Sequence, residues 1–280
     1  MAVHLAYDGS TGGDWLAHYA VRLAAQHPAR CLHLVHVADG QRSAGEVSRA
    51  AERIVRQCES LSVACHLHEL RPGRDVASTL LVGIPQDGET YLVCGTRLRG
   101  GRRGYLSGTA SHRLLCAARC HVLALRVVQP GLLGLPRQLL LPVAGHPRGF
   151  RSGLPFLRLF GPDTTHLHLL YVERVGRWRL RRLAHEAVEA RRHAGEGYCQ
   201  RIERELDTQL GLGHAVVDAQ VVVSDDVSRE IVVAANRTHA RLIYMGASER
   251  SLAQRMISAG PIEQVLRTAS CDVAVYRGQV

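Results

Sequence analysis

A chain of 280 residues is long enough for two domains of roughly 140 residues, each able to bury its own core. Its net charge of +10 is carried by arginine without a single lysine and is not gathered in a basic arm, so it reads as compositional bias with weak attraction to polyanions, not as a specific nucleic-acid surface. No apolar run approaches the ~20 residues of a membrane span, and no signal-peptide pattern precedes the first strand. The eight cysteines show no CxxC pair or zinc spacing; a membrane protein and a disulfide scaffold are set aside, and a cytoplasmic chain with reduced thiols is expected.

In chain order, the first half offers apolar runs at 2–7, 31–37, 62–70, 90–94 and 121–127, separated by amphipathic stretches near 12–27, 43–60, 74–84 and 109–118. A proline- and glycine-rich segment, Val128–Gln138, can continue neither a helix nor a central strand, and its leucines predict that it packs on its neighbours. The second half repeats the pattern with strands near 138–143, 165–172, 215–223, 241–245 and 272–277. Its longest helical stretch, 177–210, is heavily charged at three- and four-residue spacing, as a solvated face is, and Gly195 and Gly197 mark where it would break. Strands rich in Val, Ile and Leu that alternate with helices predict an α/β fold with a parallel sheet covered on both faces. Any ligand belongs at the carboxyl ends of the strands, where strand order reverses.

The halves are related in sequence. HLAYDGS (4–10) matches LLLPVAGH (139–146), HLVHV (33–37) matches HLLYV (168–172), and RCHVLALR (119–126) matches SCDVAVYR (270–277), in the same order. Two domains follow, 1–128 and 137–280. The functional residues differ between them: Asp8 becomes Ala144, Gly108 becomes Ala259, Thr109 becomes Gly260, and Glu249 stands where Leu98 does.

The densest signal is GTRLRGGRRGYLSGT (95–109), directly after the apolar run TYLVC. Glycines end a strand and a Gly-Thr pair opens a helix, whose first N–H groups lack intrahelical partners and favour a phosphate. Arg97, Arg99, Arg102 and Arg103 add charge of the right sign. Asp8 follows a buried strand and precedes Gly-Ser; its carboxylate either accepts from a ligand hydroxyl or amine, or caps the next helix.

Asp-Gly-Ser at 8–10, the His36-Val37 strand ending, the glycine loop closing on Gly108-Thr109 and the cysteine-bearing last strand together resemble the universal stress protein family, here as a tandem pair. The family's ATP-binding pattern is Gly, two residues, Gly, nine residues, Gly and Ser/Thr; this chain keeps the spacing with Leu98 in place of the second glycine. The resemblance implies two doubly wound five-stranded parallel sheets of the adenine nucleotide alpha-hydrolase-like type in tandem. It also implies that Asp8 and the backbone at Val37 hold adenosine, while Gly95, Gly108, Thr109 and the Ala110 N–H hold ribose and phosphates. The cofactor implied is ATP, with Mg²⁺ accompanying it, bound in the first half; the second half is a degenerate partner. Pairing through last strands would make the chain a pseudo-dimer, with further homodimerisation and protein partners left open.

GxxxxGK[ST], GxSxG and a GxGxxG after the first strand are all absent, against a P-loop ATPase, an α/β hydrolase and a nicotinamide dehydrogenase. No residue stands out as a general base, so a regulatory binding module is expected and not an enzyme, the alternative being a scaffold that has lost nucleotide binding in both halves. His66/His68 and His166/His168 each share a strand face but have no acidic or cysteine ligand nearby in sequence, and read as packed side chains without a metal.

Overall fold

The structure, a computed structural model, describes residues 2–97, 104–144, 147–211, 213–247 and 260–279. The first half runs β1 (Ala2–Ala6), α1 (Thr11–Gln26), β2 (Cys31–Val37), α2 (Ala44–Ser60), β3 (Ala64–Leu70), α3 (Val76–Gly83), β4 (Thr90–Gly95), α4 (Ala110–Ala117), β5 (His121–Arg126). The second runs β6 (Gln138–Val143), α5 (Pro147–Arg151), α6 (Leu154–Phe160), β7 (His166–Arg174), α7 (Arg177–Leu180), α8 (His185–Leu210), β8 (Val216–Ser224), α9 (Val227–Arg237), β9 (Leu242–Gly246), α10 (Pro261–Thr268), β10 (Asp272–Arg277).

All ten strands form one sheet, ordered β3-β2-β1-β4-β5-β10-β9-β6-β7-β8. Each half is parallel and has the same internal order, so the two expected five-stranded sheets are present but fused edge to edge. The seam is antiparallel, pairing Val273 with Arg126, Val275 with Ala124 and Arg277 with Val122. Fusion removes the two inner edges, which would otherwise expose unpaired backbone groups. Two apolar layers cover the sheet and both cross the seam. One holds Leu5, Leu23, Leu141 and Tyr244; the other holds Leu92, Leu115, Ile243 and Leu266. The outer strands depart from the expected double cover: most residues of β3 and the start of β8 are at least partly exposed.

The linker packs on its neighbours through Leu132 and Leu135, half-buried, and its backbone is held as well. Val128 and Gln129 donate their N–H groups to Asp272 Oδ1 (2.6 and 2.9 Å), while Tyr19 donates its hydroxyl to Oδ2 (2.6 Å). Asp272 is fully buried, and burial pushes its carboxyl up while these donors pull it back. Arg22 bonds the Leu133 carbonyl (3.0 Å), and Leu133 itself is 49% exposed. Gly134 (φ +71°) lies so close to α1 that a Cβ would sit 2.7 Å from the His18–Tyr19 backbone.

The charged stretch of the second half also differs from its expectation. The break falls after Leu180, and α8 continues through both glycines. Gly195 is needed for packing: a Cβ there would meet Val221 at 2.6 Å and Tyr171 at 2.8 Å, so it lets α8 lie on the sheet.

Candidate functional site: a cleft at the strand switch of the first half

The first-half strand order reverses between β1 and β4. There the carboxyl ends of β1, β2 and β4 and the N-termini of α1 and α4 surround an open cavity of about 870 Å³. Asp8, Val37, Gly95 and Ala110, all expected from sequence, line it. Gly108 and Thr109 are not among its lining residues. Leu98, Arg99, Arg102, Arg103, Glu249 and Ala259 lie outside the described residues.

Asp8 is exposed at the mouth. Its Oδ1 accepts from the Ser10 N–H (2.9 Å) and hydroxyl (2.6 Å), and Ser10 Oγ in turn accepts from Gly13 N (3.0 Å). Ser10, not Asp8, is therefore the cap of α1. Asp8 orients that cap, and its Oδ2 makes no hydrogen bond among the described residues. A Cβ on Gly13 would come within 2.6 Å of Asp8 Oδ1 and 3.1 Å of the Tyr7 ring, so only glycine lets the carboxylate sit over the first turn. Below it, Tyr7 donates to Asp14 Oδ1 (2.7 Å), and Arg53 pairs with Asp14 Oδ2 (2.6 Å). Burial, then the Asp14 hydrogen bond, hold the Tyr7 hydroxyl protonated.

At the end of β2, buried His36 places Nδ1 2.9 Å from the Tyr7 carbonyl, which fixes the proton on that nitrogen. The Val37 carbonyl accepts from Asp39 N (2.8 Å). Gly95 is explained by packing: a Cβ would meet Leu16 Cδ1 at 2.7 Å. Gly108 is explained by its φ of +68°, with open space around it. Thr109 caps α4, accepting from His112 N (3.0 Å) and donating to Leu106 O (2.6 Å). Arg97 lines the cavity but turns its guanidinium onto the carbonyls of Gly104 (3.4 Å), Ser107 (3.1 Å) and Gly108 (3.2 Å). Arg42 and Arg126 complete the basic lining, and Asp39 adds a second carboxylate; sequence reading passed over all three. The buried Asp272 was legible as an acid interrupting the apolar run CDVAVY, and it too was missed.

In the second half the described residues at the equivalent strand ends are bulkier. Tyr198 donates its hydroxyl to the carbonyl of Ala144, the counterpart of Asp8. Tyr276 replaces Leu125 and Tyr244 replaces Val93; their rings stack at 4.2 Å and their hydroxyls bond the carbonyls of Gly149 (3.1 Å) and Gly153 (2.6 Å). Gly260 begins α10 with no side-chain cap.

The histidines need a correction. His168 Nδ1 lies 3.5 Å from Asp218 Oδ2 across β7 and β8, an acidic neighbour that spacing along the chain does not show. His33 Nδ1 is 2.7 Å from His68 Nε2. Even so, no metal-ligating group of three or more forms among the described residues. All eight cysteines are free thiols, and no described helix is long and apolar enough to cross a membrane.

A doubly wound α/β unit repeated about a last-strand seam, with its cleft at the β1/β4 switch, defines the class of protein. The universal stress protein family model matches residues 157–277, and the chain carries a domain of that family in its second half. A universal stress protein from Archaeoglobus fulgidus DSM 4304 is similar over 99% of this chain and 97% of its own, at 15% identity and TM-score 0.63. A putative universal stress protein from Pseudomonas aeruginosa UCBPP-PA14 is similar over 98% and 92%, at 17% identity and TM-score 0.60. The cytoplasmic domain of a prokaryotic cation chloride cotransporter shares the fold over 99% and 95%, at 11% identity and TM-score 0.58. No curated protein matches the chain. The family match falls on the second half; the tandem fold extends the likeness of fold to the half that holds the cleft.

Proposed function

We propose that the first-half cleft binds ATP or a related adenine nucleotide, and that the chain is a regulatory binding module of the universal stress type without efficient chemistry. The observation carrying this reading is the open cavity at the strand switch, where Asp8, the Val37 backbone, Gly95 and the start of α4 converge. Apolar walls from Val35, Leu80, Leu114 and Leu125 suit a base, Asp8 suits a ribose hydroxyl, and Arg42, Arg126 and the α4 N-terminus suit phosphates, with Mg²⁺ accompanying the phosphates. Titration calorimetry with ATP and Mg²⁺ tests it. Heat is expected from the wild type and none from Asp8→Ala; no heat and no thermal shift in the wild type would end the reading.

A scaffold role is favoured by one observation: Arg97 spends its guanidinium on loop carbonyls. Adenine nucleotide released on denaturing the purified protein would exclude that alternative.

A further inference from the structure

The loop 104–109 is gripped from both sides by opposite charges. Arg97 takes its carbonyls, as described. The Glu263 carboxylate, from the first turn of α10 in the second half, takes its N–H groups: Oε2 accepts from Tyr105 N (2.8 Å) and Oε1 from Leu106 N and Ser107 N (both 2.7 Å). Three converging backbone donors form an anion nest, and charge-assisted bonds of this length are the strong ones. The backbone is shaped for its occupant. Gly104 has φ +76°, and a Cβ there would lie 2.7–2.8 Å from the Glu263 carboxylate. Tyr105 is also held from the cleft side, with the Arg126 guanidinium 4.7 Å above its ring. The matching position in the first half is His112, which has no carboxylate to offer in return.

We infer that Glu263 is a positioning residue for the first-half cleft, the group through which the second half fixes the loop that delivers Ala110 and the α4 N-terminus to the ligand. This rests on the nucleotide reading above. It gives the second half a role: it supplies an internal anion to the first half's loop, and ligand affinity in the first half depends on it.

The test follows amide hydrogen exchange at Tyr105, Leu106 and Ser107 by NMR, with nucleotide titration alongside, in the full chain as wild type, Glu263→Gln and Glu263→Ala. Glu263→Ala should speed exchange at the three amides and weaken ATP binding by about tenfold or more, as expected for losing charge-assisted bonds. Glu263→Gln should fall between. Added acetate should restore slow exchange and ATP affinity in Glu263→Ala and leave the wild type unchanged, which a role in general packing would not produce. Amides that stay protected in Glu263→Ala, faster exchange with unaltered ATP affinity, or no rescue by acetate would each overturn the inference. A wild type that binds no nucleotide overturns the nucleotide reading and the claim on ligand affinity together, while exchange and acetate rescue still decide whether Glu263 fixes the loop.

Discussion

The two halves share strand order and differ in what stands at the strand ends. In the first, small and aliphatic residues such as Gly95, Leu114 and Leu125 line a cleft of about 870 Å³, with Asp8 at its mouth. In the second, Tyr244 and Tyr276 take the places of Val93 and Leu125, and both are at most 1% exposed. Duplication thus gave one framework two uses. One copy keeps a crevice, with a carboxylate whose second oxygen has no partner among the described residues; the other sets Tyr244 and Tyr276 into aromatic packing and hydroxyl-to-carbonyl bonds that need no ligand. The seam joins them chemically as well as topologically, because Asp272 of the second half holds Tyr19 and the linker of the first.

Removing that joint should have the largest effect. Asp272→Ala leaves the Tyr19 hydroxyl and the N–H groups of Val128 and Gln129 without their acceptor in a buried place. Orphaned buried donors of this kind cost about 3 kcal/mol or more in total. Urea unfolding should show a loss of that order, and Tyr19→Phe about a third of it. A midpoint unchanged in Asp272→Ala would mean that the halves are held by β5–β10 pairing alone.

The next pair of substitutions exchanges the halves' characters. Tyr276→Leu puts the first half's residue into the second; it removes a fully buried ring stacked on Tyr244 and should cost about 2–4 kcal/mol. Nucleotide binding should not appear there, since Ala144 supplies no carboxylate. Leu125→Tyr does the reverse. Its side chain has the cleft to grow into, so stability should move by less than about 1.5 kcal/mol, while ATP affinity should drop by at least about tenfold, the cost of losing ~1.4 kcal/mol of contacts. Full ATP binding by Leu125→Tyr would place the ligand elsewhere.

Much of this contrast is legible in the sequence, because strand period, glycine position and internal repeat are local signals. The order of elements and a ligand place at the strand switch follow from these signals, and the family resemblance adds Asp8, Val37, Gly95 and Ala110, four of the residues that line the cleft. What sequence spacing does not carry is contact between the halves. Glu263 reads as an ordinary acid in the first turn of a helix, and only the seam brings it to the 105–107 amides. Likewise spacing offers Asp8 as the cap of α1, whereas Ser10 Oγ takes the Gly13 N–H and Asp8 holds Ser10 in place. The histidine pairs are likewise read by neighbours along the chain, whereas Asp218 reaches His168, and His33 reaches His68, across strands.

The smallest effect comes from a third exchange, in the middle of β1. His4 is 8% exposed, stacks on His33 at 4.7 Å, and has no hydrogen-bond partner for Nδ1 among the described residues. Its counterpart is Leu140, buried without difficulty. Burial, and then the nearby charge of His33, pull His4 down from 6.5 to about 4. Between those values the unfolded chain binds a proton that the folded chain refuses, so stability is fully present above pH 6.5 and falls as pH drops towards 4. The shift bounds the loss at about 3 kcal/mol, and relaxation around the protonated ring should reduce what is observed to ~1–2 kcal/mol. His33, whose value is lowered by burial and by His68 and His66, adds to the same acid limb. His4→Leu should therefore flatten part of the decline between pH 7 and 5 in urea unfolding while changing stability at pH 7.5 by less than about 1 kcal/mol, since leucine fills a similar buried volume. If the acid limb of His4→Leu matched the wild type's, the decline would belong to other groups, and the first half would tolerate a protonated imidazole where the second keeps a hydrocarbon.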